Sequence, residues 1–236
     1  MASASRRGDR GAAQGGGPPV IVTIDGGVAS GKSAVGKRVA DVLGLPFIDS
    51  GLMYRAITRL GAERGIDPHD SPANTALAHS TRIRIEGERV WADGKELTEG
   101  IYDSDFADAL PVISATPGVR EALVAQQRQM GEHGVVMAGR DIGTVVFPGA
   151  EHKFFLTASL IEKVRRRAAQ YERRGEAVDE EAMRKEVELR DRVDSERAVA
   201  PLKPAEDAVV INTDELSLDD VVDAIITEIE DTVGGE

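Results

Sequence analysis

The stretch from Val20 to Ser33 constrains the fold more tightly than any other part of the chain. Val20–Ile24 (VIVTI) is a short β-branched run ending in Asp25-Gly26, and it reads as a buried parallel strand. Beyond it Val35, Val39, Val42 and Leu43 recur at helical spacing, and Gly44 followed by Pro46 stops the helix. Between the two lies GGVASGKS, Gly26–Ser33, which fits the pattern G-x-x-x-x-G-K-[ST] directly after a strand and before a helix, the context that gives the pattern its meaning. The glycines let backbone N–H groups along Gly26, Gly27, Val28, Ala29, Ser30 and Gly31 turn inward as an anion nest, to which the helix adds its positive end. Lys32 is expected to reach the β- and γ-phosphates of a bound nucleotide, and the Ser33 hydroxyl to join a Mg²⁺ shell. Ala34 closes the nucleotide-binding stretch.

Further short apolar runs at Pro46–Ile48, Val135–Ala138, Lys153–Leu156 and Ala208–Ile211 alternate with helix-like stretches. Such alternation predicts an α/β fold with a parallel sheet covered on both faces. The texture changes between Ile66 and Ile101. There Ile83 and Ile85 alternate with arginines, Glu86-Gly87-Glu88 reads as a turn, and Val90, Trp91 and Asp93-Gly94 suggest another strand and turn, so a small β-rich insertion is expected. Trp91 reads as its packing anchor. From Ser159 to Arg197 the chain is densely charged, with Arg165, Arg166, Arg167, Arg173 and Arg174 ahead of Gly175. Two helices meeting at that glycine would form a mobile hairpin; the arginines there read equally as a salt-bridged surface or as a lid. Near the end, Leu218, Val221, Val222, Ile225, Ile226 and Ile229 form one helical stripe, with Ser217 as its N-cap.

A length of 236 residues supports one core with inserted lobes rather than two large domains. No apolar run is long enough to span a bilayer, and residues 1–18 lack the apolar core of a secretory signal and read as a disordered tail. The absence of cysteine excludes disulfides, thiolate metal sites and cysteine nucleophiles, and it fits the cytoplasm. His69, His79, His133 and His152 lack ligand spacing and read as structural or surface residues. The formal charge of −12, or −14 without the tail, argues against nucleic acid as a partner. In such a field an anionic small substrate needs arginines gathered at one place.

Three groups of residues offer that. Asp49-Ser50-Gly51 and Met53-Tyr54-Arg55 follow the second strand, and Gly139-Arg140-Asp141 follows Val135–Ala138, so both emerge at the carboxyl edge of the sheet, where ligands of open α/β sheets gather. Arg190, Asp194 and Arg197, at spacings of four and three, share one helix face. A guanine-reading switch is argued against, because no Lys is followed two residues later by Asp.

DSGLMYR (Asp49–Arg55), PGVREAL (Pro117–Leu123), GRDIGTVVFP (Gly139–Pro148) and RDRVDSERAVAPL (Arg190–Leu202) resemble, in order, the signatures of bacterial cytidylate kinases, a family of P-loop nucleoside monophosphate kinases. The match runs from about Val20 to the C-terminus. It implies a single kinase domain over 19–236, with a core of 19–50, 118–158 and 198–236, an acceptor-binding lobe of 51–117 that contains the β-rich insertion, and a helical lid of 159–197. It implies ATP-dependent phosphorylation of CMP and dCMP with Mg²⁺, by a cytoplasmic monomer that binds neither nucleic acid nor membrane. Carried over by position, Arg55, Arg140, Arg190 and Arg197 grip phosphates, with Lys32, Arg140 and Arg190 as the catalytic cations and Arg190 approaching as the lid closes. Arg120 and Asp141 face the cytosine edge, Asp194 faces the ribose hydroxyls, and Ser50 and Tyr54 line the acceptor pocket. Arg166 and Arg167 are the lid arginines for ATP.

The chain departs from the family pattern at three places. Pro111 stands where a base-contacting serine is usual, with Ser114 nearby, Ala34 replaces a hydroxyl residue, and Ala29 replaces a P-loop glycine. The rivals are a P-loop kinase for UMP or another small acceptor, and a non-catalytic nucleotide sensor, for which a second phosphate pocket would have no use.

Overall fold

In chain order the elements are β1 (Ile21–Gly26), α1 (Lys32–Leu43), β2 (Phe47–Asp49), α2 (Ser50–Glu63), α3 (Ser71–Ser80), β3 (Ile83–Glu86), β4 (Arg89–Ala92), β5 (Lys95–Glu96), α4 (Ala109–Ala115), α5 (Pro117–Met130), β6 (Val135–Gly139), β7 (His152–Thr157), α6 (Leu160–Arg173), α7 (Glu180–Glu196), β8 (Val209–Asn212) and α8 (Leu218–Gly234). This computed structural model describes residues 19–102, 106, 108–173, 175 and 177–234; the tail 1–18 and Arg174 lie outside the described residues.

Five strands pair in parallel in the order β2-β6-β1-β7-β8. β1, β6 and β7 are apolar because both faces of the sheet are covered there, whereas the edge strand β8 leaves Val210 exposed. Side-chain alternation divides the core accordingly. Val135 and Met137 of β6 face a cluster built by α2, α3, α4 and α5, whereas Val136 between them joins Val22, Ile24, Phe154 and Leu156 against α1 and α8. The strand ends observed differ from the expected runs by one or two residues.

Ser217 caps α8 as expected: its Oγ accepts the Asp220 N–H at 3.2 Å, and the Asp220 carboxylate accepts the Ser217 N–H at 2.9 Å, a reciprocal capping box. Val221, Val222, Ile225 and Ile229 are buried, but Leu218 at the first turn is 41% exposed. Val42 corrects the α1 pattern in the same way. It is 59% exposed, because the core-facing stripe is carried by Val35, Val39 and Ala40.

The β-rich insertion is a three-stranded antiparallel sheet, β3-β4-β5, joined to α2 and α5 through the buried side chains of Ile83, Ile85 and Val90. Trp91 is buried, with the Arg84 guanidinium 3.9 Å from its ring centroid and that of Arg89 at 4.9 Å. In the charged segment, α6 packs on α7, and Gly175 takes the left-handed conformation at φ 73° between them. Asp179 caps α7 by accepting the N–H groups of Glu181 and Ala182.

If the α8 stripe is core packing, Ile225→Ala should cost about 2–5 kcal/mol of stability. Leu218→Ala should cost under about 1 kcal/mol. Urea unfolding of the two variants checks the contrast.

Candidate active site

The loop after β1 closes on itself. The Lys32 ammonium donates to the Gly27 carbonyl at 2.5 Å, and the Ser30 hydroxyl donates to the same oxygen at 3.0 Å. Gly26 is held at φ 154°, where an added Cβ would lie 2.3 Å from the Leu156 carbonyl oxygen, so this position requires glycine. Gly31 precedes α1 at φ 97°. Ala29, the departure noted in the loop, also sits at positive φ, 54°, at a backbone cost of about 1 kcal/mol.

Asp25, the last side chain of β1 before the glycines, ties the strand to the segment after β6. Its two carboxylate oxygens accept the N–H groups of Ile142 and Gly143 at 2.9 and 2.8 Å. Those residues open a single π-helical turn, Ile142–Val146, and the bonds place Arg140 and Asp141 over the loop. Burial pushes the Asp25 carboxyl up to about 6, against the two N–H bonds and the Lys32 charge, which favour ionisation.

A cleft of about 580 Å³ opens beside the loop at the carboxyl ends of β2 and β6. Every expected acceptor residue lines it: Ser50, Tyr54, Arg55, Arg120, Arg140, Asp141, Arg190, Asp194 and Arg197. So do Val28, Ala29, Gly31, Lys32, Ser33, Ala34 and Arg167. Gly26, Gly27, Ser30 and Arg166 do not line it. Gly139 permits the crowding at the cleft floor, since a Cβ there would lie 2.6 Å from both the Ser50 hydroxyl and Ile142. Ser114 also lines the cleft and Pro111 does not; the Ser114 hydroxyl donates to the Pro111 carbonyl at 3.1 Å.

Electrostatically three of the cleft's arginines gather around one acid, Asp194. Asp194 is 1% exposed; its carboxylate accepts from Arg140 Nε at 2.8 Å, with Arg190 at 3.6 Å and Arg197 at 4.0 Å. Although burial works the other way, Arg140 and Arg190 hold this carboxyl below the usual range. Burial, followed by the charge of Arg140, pushes the Lys32 ammonium well down. Burial likewise lowers Arg190 and Arg197, and takes Arg55 to about 10, with Arg190 and Arg167 adding to the effect and Tyr102 opposing it. Buried cations that repel one another gain most from an incoming polyanion.

Arg120 and Asp141, expected at a cytosine edge, form a buried ion pair with each other, and Arg120 also donates to the Ser114 carbonyl at 3.0 Å. The Arg120 guanidinium lies 5.4 Å from the Tyr54 ring centroid. The two lid arginines separate. Arg166 donates to the Thr213 hydroxyl and carbonyl at 2.8 and 2.7 Å and lines a second cleft of about 560 Å³ with Ser30, Leu216 and Val221, while Arg167 faces the first cleft and pairs with Glu186 at 3.0 Å. Ala29, Gly31 and Ala34 belong to both clefts.

Asp49 was not singled out by sequence reasoning. It accepts the Ser33 hydroxyl proton at 2.6 Å and caps α2 through the Gly51 N–H at 3.0 Å. A hydroxyl and one carboxylate at the cleft are hard oxygen donors that suit Mg²⁺, which retains most of its shell as water and phosphate oxygens. Among the described residues no group of three His, Cys, Asp or Glu side chains is placed to hold a metal ion.

A profile of the family described as "Cytidylate kinase" matches residues 22–231. The chain belongs to the cytidylate kinase family. The cytidylate kinase of Anoxybacillus flavithermus (strain DSM 21510 / WK1) is 44% identical over 221 residues, covering 92% of this chain and 98% of that protein. A bifunctional pantoate ligase/cytidylate kinase of Synechococcus sp. (strain JA-2-3B'a(2-13)) is 44% identical over 214 residues, 87% of this chain, and the chain spans 40% of that longer protein. Among solved structures, a gluconokinase from Sinorhizobium meliloti 1021 aligns at TM-score 0.48 and 15% identity, over 91% of this chain and 95% of that one.

Asp25 makes the stability of this cytidylate kinase family member pH-dependent in a defined direction. A carboxyl raised from 3.8 to about 6 takes up a proton more readily folded than unfolded. Its contribution of about 3 kcal/mol is therefore complete below pH 4 and lost as pH rises through 6. Asp25→Asn should remove that slope, so its melting temperature relative to the parent should climb between pH 4 and pH 7. Parallel melting curves across that range measure it.

Proposed function

We propose that the enzyme transfers the γ-phosphoryl group of ATP to CMP and dCMP, giving CDP and dCDP. The observation that carries this reading is the wall shared by the two clefts: Ala29, Gly31 and Ala34 of the loop border both, so a triphosphate laid along the loop from the second cleft would point its end into the arginine-lined first cleft. Membership of the cytidylate kinase family supports the cytidine acceptor.

The acceptor phosphate has a second pKa of about 6 and is largely a dianion near pH 7, so no general base is needed. Catalysis reduces to positioning and charge stabilisation. Arg55, Arg140 and Arg197 hold the acceptor phosphate in line with the loop. Lys32 and Arg190 neutralise charge spreading over the transferred group, and Arg167, on the same side, adds to them. Arg166 lies toward the donor nucleotide. Ser33 and Asp49 hold Mg²⁺, which supplies charge neutralisation and orientation of the phosphate oxygens when bound. Ser50 and Tyr54 shape the acceptor pocket, and the Arg120–Asp141 pair, with Ser114 beside it, presents donors and acceptors to the cytosine edge. Asp194 keeps Arg140, Arg190 and Arg197 together, in addition to a place at the ribose hydroxyls.

In this reading residues 51–117 form an acceptor lobe on a core of 19–50, 118–158 and 198–236, and residues 159–197 form a lid whose closure excludes water. A monomer is part of the reading on the family resemblance alone, and a cytoplasmic location on that resemblance and the absence of cysteine. Among the described residues no helix is long and apolar enough to cross a membrane.

ADP release measured with Mg-ATP and each of CMP, dCMP, UMP and AMP should show strong turnover with the cytidine nucleotides only, above a no-acceptor control. Preference for UMP or AMP would sink the base assignment, and no turnover with any acceptor would sink the kinase reading. Lys32→Ala should lower kcat with CMP by about a thousandfold, and near-parental turnover would refute its role.

A further inference from the structure

Asp191 has no part in the roles assigned above, yet it makes a contact between the charged helices and the phosphate loop. From α7, its Oδ1 accepts the Val28 N–H at 3.0 Å, and its Oδ2 receives the Lys163 ammonium of α6 at 2.5 Å. Gly27 leaves the space for this pair: a Cβ there would lie 2.7 Å from Asp191 Oδ1 and 3.0 Å from Lys163 Nζ. An anionic side chain beside a loop of inward N–H groups would compete with phosphate if it stood alone. Lys163 offsets that charge, so the pair meets the loop as a nearly neutral link.

The same helix carries the acceptor cluster. Arg190 adjoins Asp191 in sequence, and Asp194 follows one turn later, in the carboxylate contact with Arg140 already described. A helical turn does not stretch, so a displacement of the Val28 amide is passed through Asp191 to Arg190 and Asp194. The donor loop and the acceptor cleft thus share one rigid part, and a ligand that fixes one end prepares the other.

Resting on the ATP and CMP reading above, we propose that Asp191, supported by Lys163, is a positioning residue that couples occupancy of the phosphate loop to acceptor affinity through α7. Asp191 is not itself one of the residues assigned to grip the acceptor, and its side chain is engaged by Val28 and Lys163, so its removal should affect the coupling more than acceptor binding alone.

Calorimetric titration of the full chain with CMP, alone and with a saturating Mg²⁺ complex of a non-hydrolysable ATP analogue, tests this. In the parent protein the analogue should tighten CMP binding by about tenfold. In Asp191→Ala and in Lys163→Met, CMP binding without the analogue should stay within about twofold of the parent, while the tightening falls below about twofold. Lys163→Met carries the test if Asp191→Ala does not fold. Tightening retained in a folded variant, no tightening in the parent, or equal losses with and without the analogue would overturn the proposal, the last by marking a merely structural role. A parent protein that fails to bind CMP at all would instead defeat the functional reading beneath it.

Discussion

One buried carboxylate organises the cleft. Asp194 gathers Arg140 from the end of β6 and Arg190 and Arg197 from α7, so two segments far apart in sequence are held at one point by charge. The compensation is incomplete by design of the residue count: a single negative group faces three guanidinium groups, with Lys32 and Arg55 close enough to feel the same field. A protein whose total charge is −12 thereby holds a concentrated positive site in its interior. Such an arrangement is unfavourable for stability and favourable for anion capture, since the desolvation cost is met during folding rather than at binding.

Around that point the two accessory parts have distinct physical characters. The antiparallel insertion is tied to α2 and α5 by apolar packing, which gives it a fixed base. The α6–α7 hairpin buries little of itself: α6 has no buried residue, and α7 buries only Met183, Val187 and Asp194. Its attachment depends largely on polar links such as those of Arg166 to Thr213 and Asp191 to Val28. Segments held this way open at low cost.

What could be read from the sequence was whatever depends on neighbours along the chain. The loop Gly26–Ser33 is contiguous, so its pattern announces its geometry, and the central strands β1, β6 and β7 stand out because burial on both faces makes them apolar. The β3–β4 hairpin was visible in the alternation around Ile83 and Ile85. The cluster of Arg190, Asp194 and Arg197 was visible as helix spacing, although the meaning of its members came from the family resemblance. Pairings across the fold were not accessible. Arg120 and Asp141 were each placed at the cleft, but their mutual ion pair depends on how α5 meets the end of β6. Asp25 was seen only as a strand terminus, because its partners Ile142 and Gly143 lie 117 and 118 residues further along the chain. Val42 obeyed the helical period and still faces solvent, since spacing defines a stripe but not its width.

The strand order also sets when the site can exist during synthesis. Among the described residues β1 pairs only with β6 and β7, so Ile21 lies beside Val135 and Val22 beside His152, and β2 pairs only with β6. As the chain emerges from the ribosome, the first two strands and the glycine loop between them have no sheet to join until α2–α5 and then β6 have been made. The antiparallel insertion and α3–α5 contacts, being closer in sequence, can close earlier. The nascent enzyme therefore carries its nucleotide loop unformed until β6 has been made, and β1, with its β-branched residues unpaired, is the segment most in need of protection from aggregation during that interval.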